Sequence, residues 1–324
     1  MSELVYRNPV WPGYFADPFV LRWRGEYFAY GTCSNTGDEH ERDGRVFPIL
    51  RSPDLVHWTP LGGALVCPDP RRVMYWAPEV AERDGHFFMY YAADGRLRVA
   101  TADHPAGPFE DRGRDLFPDE PFTIDAHPFC DPRDGQWYLF LAKDYFDARV
   151  GTGTAVVPLA DDMMTPLAPP RVVVRAAHDW QIYARDRTVY NRVWSAWHTV
   201  EGPFVWMHDD LYYCFYSGSS WEGANYGVSY AVADHPLGPY RDEGSEAGPL
   251  VLKGIPGQVI GPGHNSIVLG PDGVTPFVVY HAWDPQKTAR RLCIDPLVWT
   301  PNGPRCVGPT TTPQIMPSRP TGSD

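Results

Sequence analysis

The chain has 324 residues, of which 43% are hydrophobic and 14% aromatic, enough for a packed core and too apolar for a disordered chain. The formal net charge is −12, from 28 basic and 40 acidic residues, and a surface of that sign repels nucleic acid and anionic membranes. No apolar run approaches the ~20 residues of a membrane-spanning helix. Because no apolar leader follows Met1, we expect a cytoplasmic protein.

One pattern recurs five times along the chain: a polar turn followed by a run rich in aromatic and β-branched residues. The turns are centred near Gly25, Gly85, Gly135, Asp209 and Gly273. Each resembles a β-hairpin, because Asp-Gly or a similar pair precedes the β-forming run. The repeats come at intervals of roughly 50–75 residues, somewhat longer than usual for a propeller blade.

These repeats predict an all-β fold, a five-bladed β-propeller that occupies residues 1–309 as a single domain. Residues 310–324 are expected to form a C-terminal tail, loosely ordered or packed on the surface. The alternative is a β-sandwich or jelly roll with an appendage. The even spread of the hairpins over the whole length argues against that alternative.

Polar residues of interest precede the first strand of each repeat. They are Asp17, Glu79, Asp125, Glu201 and His264. A propeller gathers the ends of its innermost strands around one axial funnel, so residues far apart in sequence can meet there. We therefore expect these five to converge at the funnel mouth. Taken alone, Asp17 would be interpreted as a turn residue that accepts backbone N–H bonds.

Converging carboxylates in an aromatic-walled funnel suit the cleavage of a glycosidic bond. One carboxylic acid protonates the departing oxygen, and an opposing carboxylate activates water or attacks the sugar. A third acid keeps the pKa of the proton donor high by like-charge repulsion. Tryptophans supply faces for sugar C–H groups. Those near the proposed mouth are Trp76, Trp180, Trp194, Trp197 and Trp221.

Seven short motifs together resemble glycoside hydrolase family 43, the five-bladed β-propeller arabinofuranosidases, xylosidases and arabinanases. They are NPVWPGYFADPFV, SPDLVHW, YWAPEV, IDAHPF, EGPF, GPGHNSIV and RRLCIDPLVW. The motifs occur in family order from Asn8 to about Pro304. Each motif alone is weak evidence for the family, whereas the ordered set of seven is specific to it.

The resemblance implies an inverting hydrolase with three acidic residues. Asp17 matches the general base that activates water, and Glu201 matches the general acid that protonates the leaving group. Asp125 matches the third acid, which tunes the pKa of Glu201 and orients it. Arg290 matches an arginine that reaches the sugar, with Arg291 beside it as the alternative.

The resemblance also implies the surroundings of the sugar. No cofactor is required, and His264 matches a histidine that in many members helps hold a hydrated calcium or other ion at the axis. Trp76 resembles an aromatic wall of the terminal-sugar pocket, and Glu79 is expected to hold loops there without transferring protons. His127 departs from the family, where a second aspartate is frequent, and is expected to change the charge environment of Asp125 or to contact substrate. Independently of the resemblance, Trp197 and Trp221 are expected to contact substrate.

The chain departs from the family in an insertion over residues 174–190, which we expect to shape the mouth. The implied partner is a short oligosaccharide, with α-L-arabinofuranose as the first choice of released sugar and β-D-xylose as the second. A β-D-galactofuranosidase and an endo-arabinanase are alternatives, as are a non-catalytic glycan-binding propeller and a glycoside phosphorylase. Three acids at corresponding positions of their repeats favour hydrolysis over glycan binding and phosphorolysis. The residues leave the oligomeric state open.

Overall fold

The structure, a computed structural model, describes residues 3–34, 44–71 and 74–318. A short strand, β1 (Val5–Tyr6), comes first. Blade I contains β2 (Ala16–Trp23), β3 (Glu26–Thr32), β4 (Arg45–Ser52) and β5 (Thr59–Val66). Blade II contains β6 (Tyr75–Arg83), β7 (His86–Ala93), β8 (Arg96–Ala102) and β9 (Glu110–Asp115).

Blade III belongs to the sheet with the most strands, six, because an extra hairpin is attached to it. Its own strands are β10 (Thr123–Cys130), β11 (Trp137–Tyr145), β12 (Gly151–Pro158) and β13 (Arg171–Val174). The attached hairpin consists of β14 (Ile182–Val189) and β15 (Arg192–His198), and a 3₁₀ turn, Asp179–Gln181, leads into it. It joins the blade through one parallel pair, Gly151 with His198.

Two more blades complete the ring. Blade IV contains β16 (Val200–His208), β17 (Leu211–Gly218), β18 (Gly227–Ala233), β19 (Arg241–Asp242) and β20 (Leu252–Lys253). Blade V contains β21 (Ile260–Leu269), β22 (Pro276–Trp283), β23 (Arg290–Thr300) and β24 (Gly303–Cys306), and β25 (Gln314–Ile315) follows.

The prediction of an all-β, five-bladed propeller is confirmed. Within the described ranges there is no α-helix, and none of their helical turns has the length and apolar character needed to cross a membrane. The hairpin turns form where Gly25, Gly85 and Gly273 adopt φ values of 83°, 80° and 80°. Glycine reaches this left-handed conformation without a steric penalty, which explains why these positions end one strand and begin the next.

Aromatic side chains fill the interfaces between neighbouring blades. Trp23 of blade I meets Phe87 of blade II edge to face, with ring centroids 5.6 Å apart. Phe129 of blade III meets Tyr212 of blade IV in the same way at 5.9 Å. Buried apolar surface stabilises a fold by roughly 25 cal/mol per Å². Large rings between blades therefore fix the relative positions of the innermost strands.

Both ends of the chain meet beside blade V. Strand β1 pairs with β25, and next to this pair the fully buried Asp295 accepts hydrogen bonds from four residues. The donors are Tyr6 Oη at 3.3 Å, Asn8 Nδ2 at 3.1 Å, Tyr280 Oη at 2.7 Å, and Thr310 N at 3.0 Å and Oγ1 at 2.6 Å. We call this group the Asp295 clasp. It joins the N-terminal segment, blade V and the C-terminal segment.

Each innermost strand carries a β-bulge near the mouth of the funnel. The pairing register shifts between residues 16 and 19, 76 and 79, 124 and 127, 201 and 204, and 263 and 266. The first bulged residue has a positive φ in every blade: Asp17 50°, Ala77 45°, Asp125 56°, Gly202 55° and His264 50°. A bulge bends its strand and redirects a side chain, and the side chains of Asp17, Asp125 and His264 line the funnel mouth.

The bulges correct one expectation from the sequence. Glu79 and Glu201 were expected at the same blade position as Asp17, but Ala77 and Gly202 stand there instead. Glu201 precedes its bulge by one residue, and Glu79 follows its bulge. The error arises because motifs were aligned by their polar residue, whereas the backbone aligns by the bulge.

Candidate active site

A cavity of about 550 Å³ opens at the mouth of the funnel. Eight of the residues expected at the site line it: Asp17, Trp76, Asp125, Trp197, Glu201, Trp221, His264 and Arg290. The structure therefore brings together three acids from blades I, III and IV. Glu79 and His127 are not among the lining residues. They are buried and pair with each other, with His127 Nδ1 2.6 Å from Glu79 Oε2.

Asp17 is surrounded by groups that favour its charged form. Arg290 Nη1 donates to Oδ1 at 2.9 Å, and Thr32 Oγ1 donates to Oδ2 at 2.6 Å. Burial disfavours a charged carboxylate, but the Arg290 guanidinium and the imidazoles of His264 and His281 together outweigh it and hold the pKa of Asp17 well below its usual range. Arg291 points away from this site and pairs with Asp284. Of the two neighbouring arginines, Arg290 is therefore the one that contacts the cavity.

His281 fixes the backbone at Asp17. The Asp17 N–H donates to His281 Nδ1 at 3.0 Å, so this nitrogen must carry a lone pair. Burial lowers the pKa of His281 to about 4, which keeps the imidazole neutral at pH 7. A neutral ring with Nδ1 as acceptor is the form that this hydrogen bond requires.

Glu201 and Asp125 form a second acidic group with the opposite behaviour. Burial raises the pKa of Glu201 to about 7, and the charge of Asp17 adds to the rise, while a hydrogen bond from Tyr226 opposes it. Burial and the charge of Glu201 raise the pKa of Asp125 well above its usual range. Tyr226 Oη donates to Glu201 Oε1 at 2.8 Å, and Gly202 N donates to Asp125 Oδ2 at 3.0 Å. This group holds a proton near neutrality, whereas Asp17 is ionised.

The residues that sequence reasoning missed include Tyr226 and His281, which hydrogen-bond to Glu201 and to the backbone of Asp17. Their rings stack with centroids 5.8 Å apart and planes within 7°. His281 lies inside the apolar run of β22 and is completely buried. A histidine in such a run is a signal that a polar partner lies behind it. Tyr226 has no comparable signal, because buried tyrosines are frequent throughout the blades.

His264 does not have the neighbours that would bind a metal directly. Its Nδ1 lies 3.5 Å from Asp17 Oδ1, and burial lowers the pKa of the imidazole. In the parts of the chain that the structure describes, no group of three or more His, Cys, Asp and Glu side chains is arranged around one point. The residues present do not fit a directly coordinated calcium ion, so no chemical step is assigned to one.

The attached hairpin forms a side wall of the cavity. The expected insertion, residues 174–190, is the first part of this element, which continues through β15 to His198. The hairpin residues that line the cavity are Tyr183, Arg187, Val189, Tyr190 and Trp197. Tyr190 Oη, near the hairpin tip, donates to Asp144 Oδ2 on blade III at 2.5 Å, which fastens the wall to the propeller.

Known proteins resemble this chain over most of its length. A β-D-galactofuranosidase of Aspergillus niger is 28% identical over 319 residues, which cover 91% of this chain and 83% of that protein. An extracellular exo-α-(1→5)-L-arabinofuranosidase of Streptomyces avermitilis is 25% identical over 331 residues, which cover 94% of this chain and 63% of that protein.

Solved structures show the same similarity. The crystal structure of a thermostable family-43 glycoside hydrolase superposes with a TM-score of 0.82 at 30% identity, covering 97% of this chain and 100% of that one. An endo-1,4-β-xylanase from Bacteroides thetaiotaomicron superposes with a TM-score of 0.76 at 27% identity, covering 98% and 99%. Residues 6–304 match the family described as Glycosyl hydrolases family 43. The chain therefore belongs to glycosyl hydrolase family 43.

Proposed function

We propose that this glycoside hydrolase inverts the anomeric centre and removes terminal α-L-arabinofuranosyl, or secondarily β-D-xylosyl, residues from short plant-cell-wall oligosaccharides. The observation that supports it best is the opposite ionisation of two acids in one cavity. Asp17 is ionised beside Arg290, while burial raises the pKa of Glu201 to about 7. An inverting hydrolase needs such a pair, one carboxylate and one carboxylic acid.

In the proposed mechanism, Glu201 donates its proton to the glycosidic oxygen as the bond to the anomeric carbon breaks. A water molecule attacks the opposite face of the sugar, and Asp17 accepts the proton that this water loses. The negative charge of Asp17 also stabilises the oxocarbenium-like transition state. Asp125 accepts a hydrogen bond from the N–H of Gly202 and so holds the backbone beside Glu201, and the charge of Glu201 in turn raises the pKa of Asp125.

The test is a panel of nitrophenyl glycosides, with the anomer of the first product identified by NMR. Asp17→Asn and Glu201→Gln should each lower kcat/KM by about 10²-fold or more while the protein stays folded, which is the usual scale of acid–base catalysis. Glu110→Gln and Asp134→Asn, both at exposed positions, are the matched controls. Near-wild-type rates for either cavity variant on a substrate with a poor leaving group would contradict the assigned roles.

A second candidate function is β-D-galactofuranosidase, supported by the similarity to the Aspergillus niger enzyme over 91% of this chain. The two furanosides share one ring configuration, and galactofuranose carries an additional exocyclic carbon with its hydroxyl group. The ratio of kcat/KM for the two nitrophenyl furanosides decides between them. A ratio above about tenfold in either direction identifies the sugar that the pocket prefers.

A further inference from the structure

Arg187 is an unusual cation in the wall of the cavity. Its guanidinium carbon lies 4.5 Å from the ring centroid of Tyr183 and 5.4 Å from that of Trp197, so two aromatic rings hold the group. In the described ranges, no carboxylate forms an ion pair with it within 4.0 Å. Stacking orients the planar group before any ligand arrives, which leaves its N–H donors available at a low entropic cost.

Asp144, on blade III next to the hairpin, supplies the complementary acceptor. It lies at the end of β11, lines the cavity and is only 6% exposed. Its Oδ2 is occupied by the hydrogen bond from Tyr190, but the buried Oδ1 has no partner in the described part of the chain. A buried carboxylate oxygen without a donor is costly, and in a cavity wall this cost is removed when a ligand hydroxyl donates to it.

Both groups line the same cavity as Glu201. Burial raises the pKa of Glu201 and that of Asp144, and the positive charge of Arg187 opposes both increases. Arg187 is therefore close enough to act on both carboxyls. If Glu201 protonates the glycosidic oxygen, the sugar beyond that oxygen must lie against the groups that surround Glu201 on the side away from Asp17.

We propose that Arg187 and Asp144 form the binding subsite for the leaving-group sugar. This inference rests on the proposed function. Arg187 donates to one hydroxyl of that sugar, and Asp144 Oδ1 accepts from another. One positive and one negative group side by side suit an uncharged sugar with neighbouring hydroxyls. The inserted hairpin thereby determines which glycans the enzyme cleaves.

The experiment compares two substrates that share the released sugar. One is the nitrophenyl glycoside, whose leaving group has no sugar hydroxyls, and the other is the corresponding disaccharide. Arg187→Ala and Asp144→Asn should each lower kcat/KM for the disaccharide by about tenfold or more, mainly through KM, since each loses a hydrogen bond to a charged group. For the nitrophenyl glycoside, the kcat/KM of each variant at its own optimal pH should differ from the wild-type value by less than about threefold.

Two further measurements distinguish a role in substrate binding from a role in holding the hairpin in place. Arg187→Ala should also move the basic limb of the pH profile upward on both substrates, because the charge that opposes the raised pKa of Glu201 is lost. Arg192→Ala is the control, because Arg192 lies on the same hairpin, is exposed and stacks on Trp194 at 4.0 Å. It should leave both substrates unaffected.

Equal losses on the two substrates, or no loss on either, with unchanged melting temperatures, would overturn the subsite. Asp144→Asn keeps the shape of the side chain and so gives an answer even if Arg187→Ala does not fold. A wild-type chain that hydrolyses neither substrate would refute the proposed function itself and the subsite with it.

Discussion

Asp17 and Glu201 are both almost buried, and their neighbours make them chemically different. Arg290 donates to Asp17 at 2.9 Å, which stabilises the charged form. The nearest donor to Glu201 is the neutral hydroxyl of Tyr226 at 2.8 Å, which offsets only part of the cost of burial. The ionic state of each acid therefore depends on burial and on the side chains that other segments of the chain place beside it.

Tyr226→Phe tests this account of Glu201. The Tyr226 hydroxyl donates to the carboxylate and favours its charged form, so its removal should raise the pKa of Glu201 above about 7. The basic limb of the kcat/KM profile should then move to higher pH, since the acid keeps its proton longer. Tyr230→Phe is the control, because Tyr230 donates only to the backbone carbonyl of Asn302 at 3.4 Å. An unmoved limb in Tyr226→Phe would mean that Glu201 is not the group that titrates.

At the scale of elements, the bulges place functional groups at the funnel mouth. All five have a positive φ at the first bulged residue, although only Gly202 is a glycine. A non-glycine residue in this conformation is uncommon and strained, and such strain is found where a function requires it. The fold maintains the strain because regular strand pairing continues on both sides of each bulge.

Gly202→Ala should damage the site more than the fold. An alanine at a φ of 55° costs about 1 kcal/mol of stability. Its Cβ would also lie 3.3 Å from the ring of His264, so the ring or Glu201 must shift, and we expect kcat to fall by about tenfold or more.

Gly25→Ala is the matched control for this substitution. Gly25 has a φ of 83° and nothing within 4 Å of an added Cβ, so the variant should lose similar stability and keep its activity. Urea unfolding and initial rates measure both quantities. Equal activity in the two variants would show that the contact with His264 has no effect on the chemistry.

The same elements show how far the sequence could predict the structure. A hairpin turn with an Asp-Gly or similar pair depends on residues that are adjacent in sequence. The five blades could therefore be predicted from the residues alone. A bulge depends on pairing with a distant strand, and this is why Glu79 was aligned with Asp17 although Ala77 occupies that position. The attached hairpin was seen only as an insertion, because the polar residues around Arg187 do not alternate clearly with apolar ones.

The whole ring is closed by both ends of the chain. The Asp295 clasp collects donors from residues 6, 8, 280 and 310 around one buried carboxylate. Burial raises the pKa of Asp295 and its hydrogen bonds oppose that rise, whereas a group that cannot accept all five leaves buried donors unpaired. Closure of the propeller therefore depends on an anion as well as on strand pairing.

Asp295→Asn should destabilise the protein by about 3 kcal/mol or more, because the new amide N–H groups face donors that then lose their acceptor. Urea unfolding at pH 7 measures the change. Asp134→Asn is the control, since Asp134 is exposed and an asparagine oxygen can still accept from Gln136 N. Similar unfolding midpoints for the two variants would mean that the clasp does not hold the ring closed.

Closure also determines when Asp17 acquires its low pKa. Arg290 follows Asp17 by 273 positions, so during synthesis the aspartate emerges long before its cation. Until blade V docks beside blade I, Asp17 is an ordinary solvated carboxylate and His281 has no N–H to accept. From the proposed role of Asp17 we therefore expect a nascent or half-folded chain to have no hydrolase activity, and the appearance of hydrolysis during refolding would report the docking of the last blade.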